Sequence, residues 1–216
     1  MMLPARTLTA LAALAALSAC TKNGDLVIDQ GVGVTSVLSL CPAVGIPDYT
    51  GDITTFLAGE DRSTASLDVS AAITNLRATC NDGEEQVYSE ATFEVHARRT
   101  DVRGARQVEL PYFATVLRGG SAVVTKRVGT VTLNFADGQE RAQASGTASS
   151  YVDKAEASLP ADIRELITRK RRAGDADAAV DPLSRPEVRA AVQRASFELL
   201  VGFQLTQDQL TFNATR

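Results

Sequence analysis

The sequence contains few of the side chains that build metal centres and histidine-dependent active sites. It has one histidine, three cysteines and no tryptophan among 216 residues. A structural zinc ion needs four protein ligands and a catalytic zinc ion needs three, so a single imidazole and a few thiols leave little for either. We therefore expect no metal site, and we interpret His96 as a solvated histidine on a strand whose outward face also carries Glu94 and Arg98.

The motifs of nucleophilic and nucleotide chemistry are also missing. The sequence contains no Gly-x-Ser-x-Gly, no Ser-x-x-Lys and no Cys-x-x-Cys. Gly31–Gly33 lacks the third glycine and the following helix of a dinucleotide loop. Asp175, Asp177 and Asp181 lack the third early ligand, the central glycine and the final glutamate of a calcium loop. We therefore predict no catalytic residues, no cofactor and no enzymatic activity.

Charge and hydropathy exclude two further classes of protein. The formal net charge is −4 and the pI is about 5.1, which argues against nucleic acid as a partner because phosphate binding needs a basic surface. The apolar run Leu8–Leu17 is too short for a transmembrane helix, which needs about 20 residues. Its length is typical of the apolar core of a signal peptide, and Arg6 precedes it. We predict a signal peptide over residues 1–19.

The apolar run ends in Leu17-Ser18-Ala19-Cys20, which resembles the lipobox of bacterial lipoprotein precursors. Small side chains suit an extended segment in a peptidase groove, and a thiol is the strongest available nucleophile for attaching a lipid. The resemblance implies cleavage before Cys20, which then carries a diacylglycerol on its sulfur and an acyl chain on its nitrogen. Two or more chains give stable anchoring where one does not. The alternative is an ordinary secretory peptide that is cut elsewhere.

The resemblance also implies a location. The residue after Cys20 is Thr21 and not aspartate, which in this family indicates the periplasmic face of the outer membrane of a Gram-negative bacterium. Residues 20–30 then form the lipidated cysteine and a polar tether, and residues 31–216 form a single domain.

The remaining cysteines make an even pair once Cys20 is lipidated. Cys41 and Cys80 would lie in an oxidising compartment, where disulfides form and persist. A bond between them would close a loop of about 40 residues and contribute roughly 4 kcal/mol in the chain-entropy model. Two buried free thiols are the alternative.

The domain reads as mainly β. Apolar residues alternate with polar ones through 67–74 and 87–98, which is typical of half-buried antiparallel strands. Turn signals such as Asp82-Gly83, Gly119-Gly120 and Asp137-Gly138 separate the strands. The pattern predicts an antiparallel β-sandwich, Ig-like or similar. The predicted strands are 32–40, 67–74, 87–98, 109–117, 122–128, 130–135, 141–151, 197–205 and 210–212.

A helical segment of about 159–195 interrupts the strands before the carboxyl end. Leu159, Ile163, Leu166 and Ile167 form one helical stripe, which predicts a helix over about 159–173. Pro186 opens a second predicted helix that ends near residue 195. The sequence therefore predicts a two-helix insertion before the C-terminal strands.

Four consecutive cations, Arg169, Lys170, Arg171 and Arg172, form the densest charge feature of the chain. A basic cluster attracts the anionic head groups of lipids at about 1 kcal/mol per residue, so these residues are the candidate anion-binding site. Their position late in a predicted helix also complements the helix dipole, which gives the competing structural interpretation.

The sequence supports three functional hypotheses. The first is a lipid-anchored protein with a non-enzymatic binding or assembly role, whose partners are the membrane and another envelope protein. The second is a carrier or sensor of an amphiphile, held in a cavity between the sheet and the 159–173 helix with Arg169–Arg172 at its mouth. The third and least favoured is an envelope hydrolase with an unrecognised site.

Overall fold

A computed structural model of the chain describes residues 39–57, 62–171, 174–177 and 179–215. The predicted signal peptide, Cys20, the tether and most of the strand predicted over 32–40 lie outside these residues. The described residues fall into two units, which are 39–169 with 180–215, and 170–179. The second unit is a short run of turns. In the part of the chain that the structure describes, no helix has the length and apolar character needed to cross a membrane.

The described residues form two four-stranded sheets, which confirms the predicted β-sandwich. The first sheet has the order β1 (Ala43–Gly45), β8 (Phe197–Phe203), β5 (Arg106–Arg118) and β6 (Ala122–Phe135). The second has the order β2 (Asp52–Phe56), β3 (Leu67–Asp82), β4 (Gln86–Arg99) and β7 (Arg141–Asp153). Neighbouring strands are antiparallel, except that β1 and β8 run parallel.

The alternation predicted for β4 is present in the structure. Val87, Phe93 and Val95 are buried, whereas His96 and Arg98 are exposed. Because side chains of a strand point alternately to its two faces, one face of each sheet faces the other sheet and forms the core between them. The rest of the core comes from both sheets, including Val69, Leu110, Val116, Val131, Leu133, Phe135, Leu199, Val201 and Phe203.

The strands predicted over 122–128 and 130–135 are one strand, β6. The sequence was divided at Gly129, but this glycine does not end the strand. The ring of Tyr112 lies over it, and a Cβ atom at residue 129 would lie 2.5 Å from Tyr112 Cζ. Glycine is therefore needed here for close packing and not for a turn.

The two-helix insertion is confirmed. A short helix α1 (Lys154–Ala157) leads into α2 (Ala161–Thr168), and α3 (Pro186–Ala195) follows after a 3-10 turn. A small buried cluster lies where the two longer helices meet and consists of Leu159, just before α2, with Ile167, Val188 and Ala191. Helix α2 ends before the predicted boundary, because Ile167 is the last buried apolar residue of its stripe and tertiary packing supplies most of the stability of a short helix.

The strand predicted over 210–212 is wrong, because these residues lie in helix α4 (Gln207–Thr215). The side chain of Thr206 accepts a hydrogen bond from the Gln209 backbone N–H, and Gln209 accepts one from the Thr206 N–H. This reciprocal pattern is a capping box, which starts a helix. Phe212 then packs edge-on against Phe56 with ring centroids 5.3 Å apart. Helix α4 therefore packs against β2 of the second sheet, and β8 is the last strand among the described residues.

A disulfide joins Cys41 and Cys80, as the cysteine count predicted. Cys41 precedes β1 of the first sheet and Cys80 lies in β3 of the second, with Cα atoms 6.0 Å apart. The bond therefore links the two sheets covalently. Cys80 itself is exposed, so the cross-link adds little buried surface of its own.

The opposite end of the sandwich is organised by a buried arginine. Arg99 is 1% exposed and its guanidinium donates to four backbone carbonyls. Two belong to the loop after β4 and two to the turn after β6, namely Val102, Gly104, Ala136 and Gln139. The guanidinium also lies 5.2 Å from the centroid of the Phe135 ring. One side chain thus provides hydrogen-bond donors to the backbone carbonyls of both connections.

Arg99→Leu is expected to lower the free energy of unfolding by about 3–5 kcal/mol, because it leaves buried carbonyls without a donor. Arg98→Leu is the matched control. Arg98 makes an exposed ion pair with Glu140, and such pairs contribute less than about 1 kcal/mol. Urea unfolding of both variants is the measurement, and similar losses in the two would contradict the role assigned to Arg99.

Cys80→Ala is expected to lower the free energy of unfolding by about 4 kcal/mol, because the unfolded chain regains the freedom of the opened loop. Urea unfolding with and without a reductant measures the effect. Reductant should bring the wild-type protein to the stability of the variant and leave the variant unchanged. A wild-type protein that is insensitive to reductant would show that the bond does not stabilise the fold.

Candidate functional site

An open groove of about 550 Å³ lies on the outer face of the second sheet. Two cross-strand rows of outward side chains line it. Each row contains one residue from each of the strands β2, β3, β4 and β7. We call these eight residues the outer groove: Asp52, Ala72, His96 and Gln143 in one row, and Thr54, Ser70, Arg98 and Arg141 in the next.

The groove follows from side-chain size along neighbouring strands. Ser70 and Ala72 of β3 are short and form its floor. On one side His96 and Arg98 of β4 stand beside them, and on the other side are the residues of β2. Since adjacent strands lie about 4.8 Å apart, the groove extends roughly 14 Å from β2 to β7.

A chain of hydrogen bonds positions His96 at the groove. Its Nε2 lies 3.2 Å from Oε2 of Glu94, and the other carboxylate oxygen accepts a bond of 3.1 Å from Asn75 Nδ2. Asn75 has a φ of 51° and lies where the register of β3 against β4 shifts. The bond from Asn75, and after it the bond with His96, hold the pKa of Glu94 below its usual value. Glu94 therefore stays ionised and orients the imidazole.

Among the residues that the structure describes, no hydroxyl or thiol is hydrogen-bonded to His96. In the part of the chain that the structure describes, the hydrogen bond of the imidazole goes to Glu94 alone. A catalytic base must lie within hydrogen-bond reach of the group that it deprotonates. What the arrangement offers chemically is hydrogen bonding to a bound molecule.

Two arginines lie opposite each other at one end of the groove. Arg98 of β4 and Arg141 of β7 are cross-strand neighbours, and like charges in this position repel. Arg98 is neutralised by Glu140. Arg141 is exposed and has no ion-pair partner among the described residues. The end of the groove therefore carries one uncompensated positive charge.

The predicted anion-binding residues are only partly described. Arg169 caps α2 through its backbone N–H, which donates to the Glu165 carbonyl, and Lys170 is exposed. Arg171 is 5% exposed and donates to the Asp177 carbonyl at 3.4 Å. Arg172 lies outside the described residues. The anion-binding role of this cluster stays a prediction, although the burial of Arg171 differs from the exposed cluster that the sequence suggested.

A second cavity, of about 290 Å³, lies near the start of α2. Its apolar lining comes from the segment before β1, from α1, α3 and the start of β8, and includes Leu40, Ala157, Leu159, Val192 and Phe197. The sequence suggested a cavity between a sheet and the 159–173 helix. The described lining includes Leu159, which precedes α2, and no residue of α2 itself.

The outer edge of the first sheet is a further candidate that the sequence analysis missed. We call residues 122–128 of β6 the β6 edge. All are exposed, including Val123 at 65%, Val124 at 54% and Val128 at 61%. β6 pairs only with β5 among the described strands. The pattern of valines correctly predicted a strand here, but a strand pattern does not say which strand lies at an edge.

Comparison of the chain with protein-family models, with curated proteins and with solved structures found no match.

Proposed function

We propose that this chain is a lipid-anchored protein of the Gram-negative cell envelope with a non-enzymatic binding or assembly role. Cys20 carries the diacylglycerol and the N-acyl chain, and the tether after it holds the domain at the periplasmic face of the outer membrane. The observation that supports this proposal most is the disulfide between Cys41 and Cys80. Such bonds persist in the periplasm and are rare in the cytosol of ordinary bacteria.

The partner in this proposal is another envelope protein, and its docking surface is the β6 edge. An edge strand offers unpaired backbone groups to which an extended segment can add as a further strand. A shift in the register between β5 and β6 leaves Val124 without a partner residue. Valines exposed to more than half of their area supply apolar surface for the added strand.

The charge of the β6 edge favours an acidic partner segment. Lys126 and Arg127 lie toward the C-terminal end of this edge, although the protein as a whole is acidic. Lysine often protects an edge from unwanted pairing. Here Lys126 Nζ lies 5.1 Å from the centroid of the Phe113 ring of the neighbouring strand, so the ammonium lies over its own sheet.

A second candidate function is an amphiphile carrier or sensor. The partly apolar cavity at Leu159, Val192 and Phe197 favours it, because its 290 Å³ is close to the lower limit of about 300 Å³ for ligand pockets. We rank it second because a cavity of that size accommodates only part of a lipid chain.

Cys20→Ser is expected to move the protein from the membrane fraction to the soluble periplasmic fraction, because no acyl chain can then be attached to residue 20. Fractionation combined with labelling by a clickable fatty acid is the measurement. Cys80→Ala is the control, since it removes a different thiol and should remain acylated. A Cys20→Ser protein that still incorporates the label would refute the anchor.

A photo-cross-linking residue at Val124 is expected to capture one defined envelope protein in intact cells, because Val124 lies on the surface proposed for strand addition. The same residue at Val180, an exposed valine outside β6, is the control. Arg127→Glu in the Val124 variant should lower the yield several-fold if the partner segment is acidic. Equal capture at both positions, or no effect of Arg127→Glu, would contradict the docking surface.

A further inference from the structure

We propose that the outer groove binds a carboxylated saccharide. This inference goes beyond the envelope role proposed above by naming a ligand class. It rests on that role only for the compartment in which the protein would encounter the sugar. The charge, the polar lining and the shape of the groove support it.

The acid group of the ligand is recognised at the arginine end. Arg141 is a cation without an ion-pair partner among the described residues, and it stands across from Arg98. Because Glu140 already pairs with Arg98, a bound anion would supply the ion-pair partner that Arg141 lacks. Guanidinium groups bind carboxylates through paired hydrogen bonds, which are stronger than neutral ones.

The remainder of the groove suits hydroxyl groups. Asp52, Ser70 and Gln143 line it, and their side chains together provide both donors and acceptors. His96 adds a ring nitrogen that is oriented by Glu94. A sugar ring presents hydroxyls that donate and accept in the same way, so each can find a partner.

The two arginines of the outer groove lie toward one side of it, which suits a ligand with one acidic end. Arg98 and Arg141 lie on β4 and β7, whereas Asp52 lies on β2 at the other side. A ligand with an acid at one end and hydroxyls at the other matches an arrangement in which the arginines lie roughly 10–14 Å across the strands from β2.

A saccharide fits the groove better than an acidic peptide does. The side chains of the groove floor are Ser70 and Ala72, which provide no deep apolar pocket for peptide side chains. The central strands β3 and β4 are paired on both sides. A peptide lying over the groove floor would therefore have neither a free strand edge beneath it nor pockets for its side chains.

The single histidine of the chain allows a direct test, because one imidazole gives one set of ring signals. The full chain, purified without a polyhistidine tag, is titrated at pH 7 with cellobiouronic acid, a disaccharide with one terminal carboxylate. The His96 ring signals are expected to shift saturably. Cellobiose, which lacks the carboxylate, is expected to bind at least about tenfold more weakly, the equivalent of one charge-assisted hydrogen bond.

Two variants separate the groove from a general charge effect. Arg141→Gln is expected to weaken binding of cellobiouronic acid about tenfold and to leave binding of cellobiose unchanged. Arg103→Gln removes the same charge from an exposed arginine that pairs with Asp101 outside the groove, and it should leave both affinities unchanged.

Several results would overturn the proposal. One is a shift of the His96 signals by acetate equal to that by cellobiouronic acid, which would indicate an adventitious ion only. Another is tighter binding of glucose 6-phosphate or of an acidic tetrapeptide, which would assign the groove to a different ligand class. Equal losses of affinity for cellobiouronic acid in Arg141→Gln and Arg103→Gln would show that the groove is not the binding site. None of these outcomes depends on Cys20, so failure here is distinguishable from failure of the lipid anchor.

Discussion

The bond between Cys41 and Cys80 holds together the part of the sandwich where packing contributes least. Residues 77–82 of β3 are exposed on both faces, and β1 has only three residues. Neither element buries enough apolar surface to fix one sheet against the other at this end. The disulfide replaces that missing burial by restricting the unfolded chain. Because the bond needs an oxidising compartment, the stability of the fold and the proposed location of the protein depend on the same chemistry.

Arg99 stabilises the opposite end of the molecule, through hydrogen bonds and not through a covalent bond. Its guanidinium satisfies carbonyls from two connections that would otherwise be buried without donors. A covalent bond at one end and a buried hydrogen-bond network at the other hold the sandwich together without using the outer-groove side chains on the outer face of the second sheet. The strands of that face can therefore carry a polar groove without loss of the core, which lies on their other side.

The sequence predicts the fold correctly where a local pattern is compatible with only one structure. Alternation in β4 placed Phe93 inward and His96 outward, and both positions are confirmed. The sequence predicts two strands around Gly129, because a glycine that makes room for a ring looks the same in sequence as one that makes a turn. It also predicts a strand over 210–212, although Thr206 and Gln209 have the spacing of a capping box. The groove was beyond prediction, because its residues come from four strands whose order in the sheet is a tertiary property.

We propose that the mature protein is a disulfide-bonded domain attached to the membrane through an acylated cysteine. Intact-mass analysis of the protein, extracted from the membranes of its own host and treated with a thiol alkylating agent, tests this most directly. The account predicts a chain that begins at Cys20, carries the mass of a diacylglycerol and an N-acyl group, and takes up no alkylating agent. A chain that begins at another residue without lipid, or one that is alkylated at Cys41 and Cys80, would contradict it.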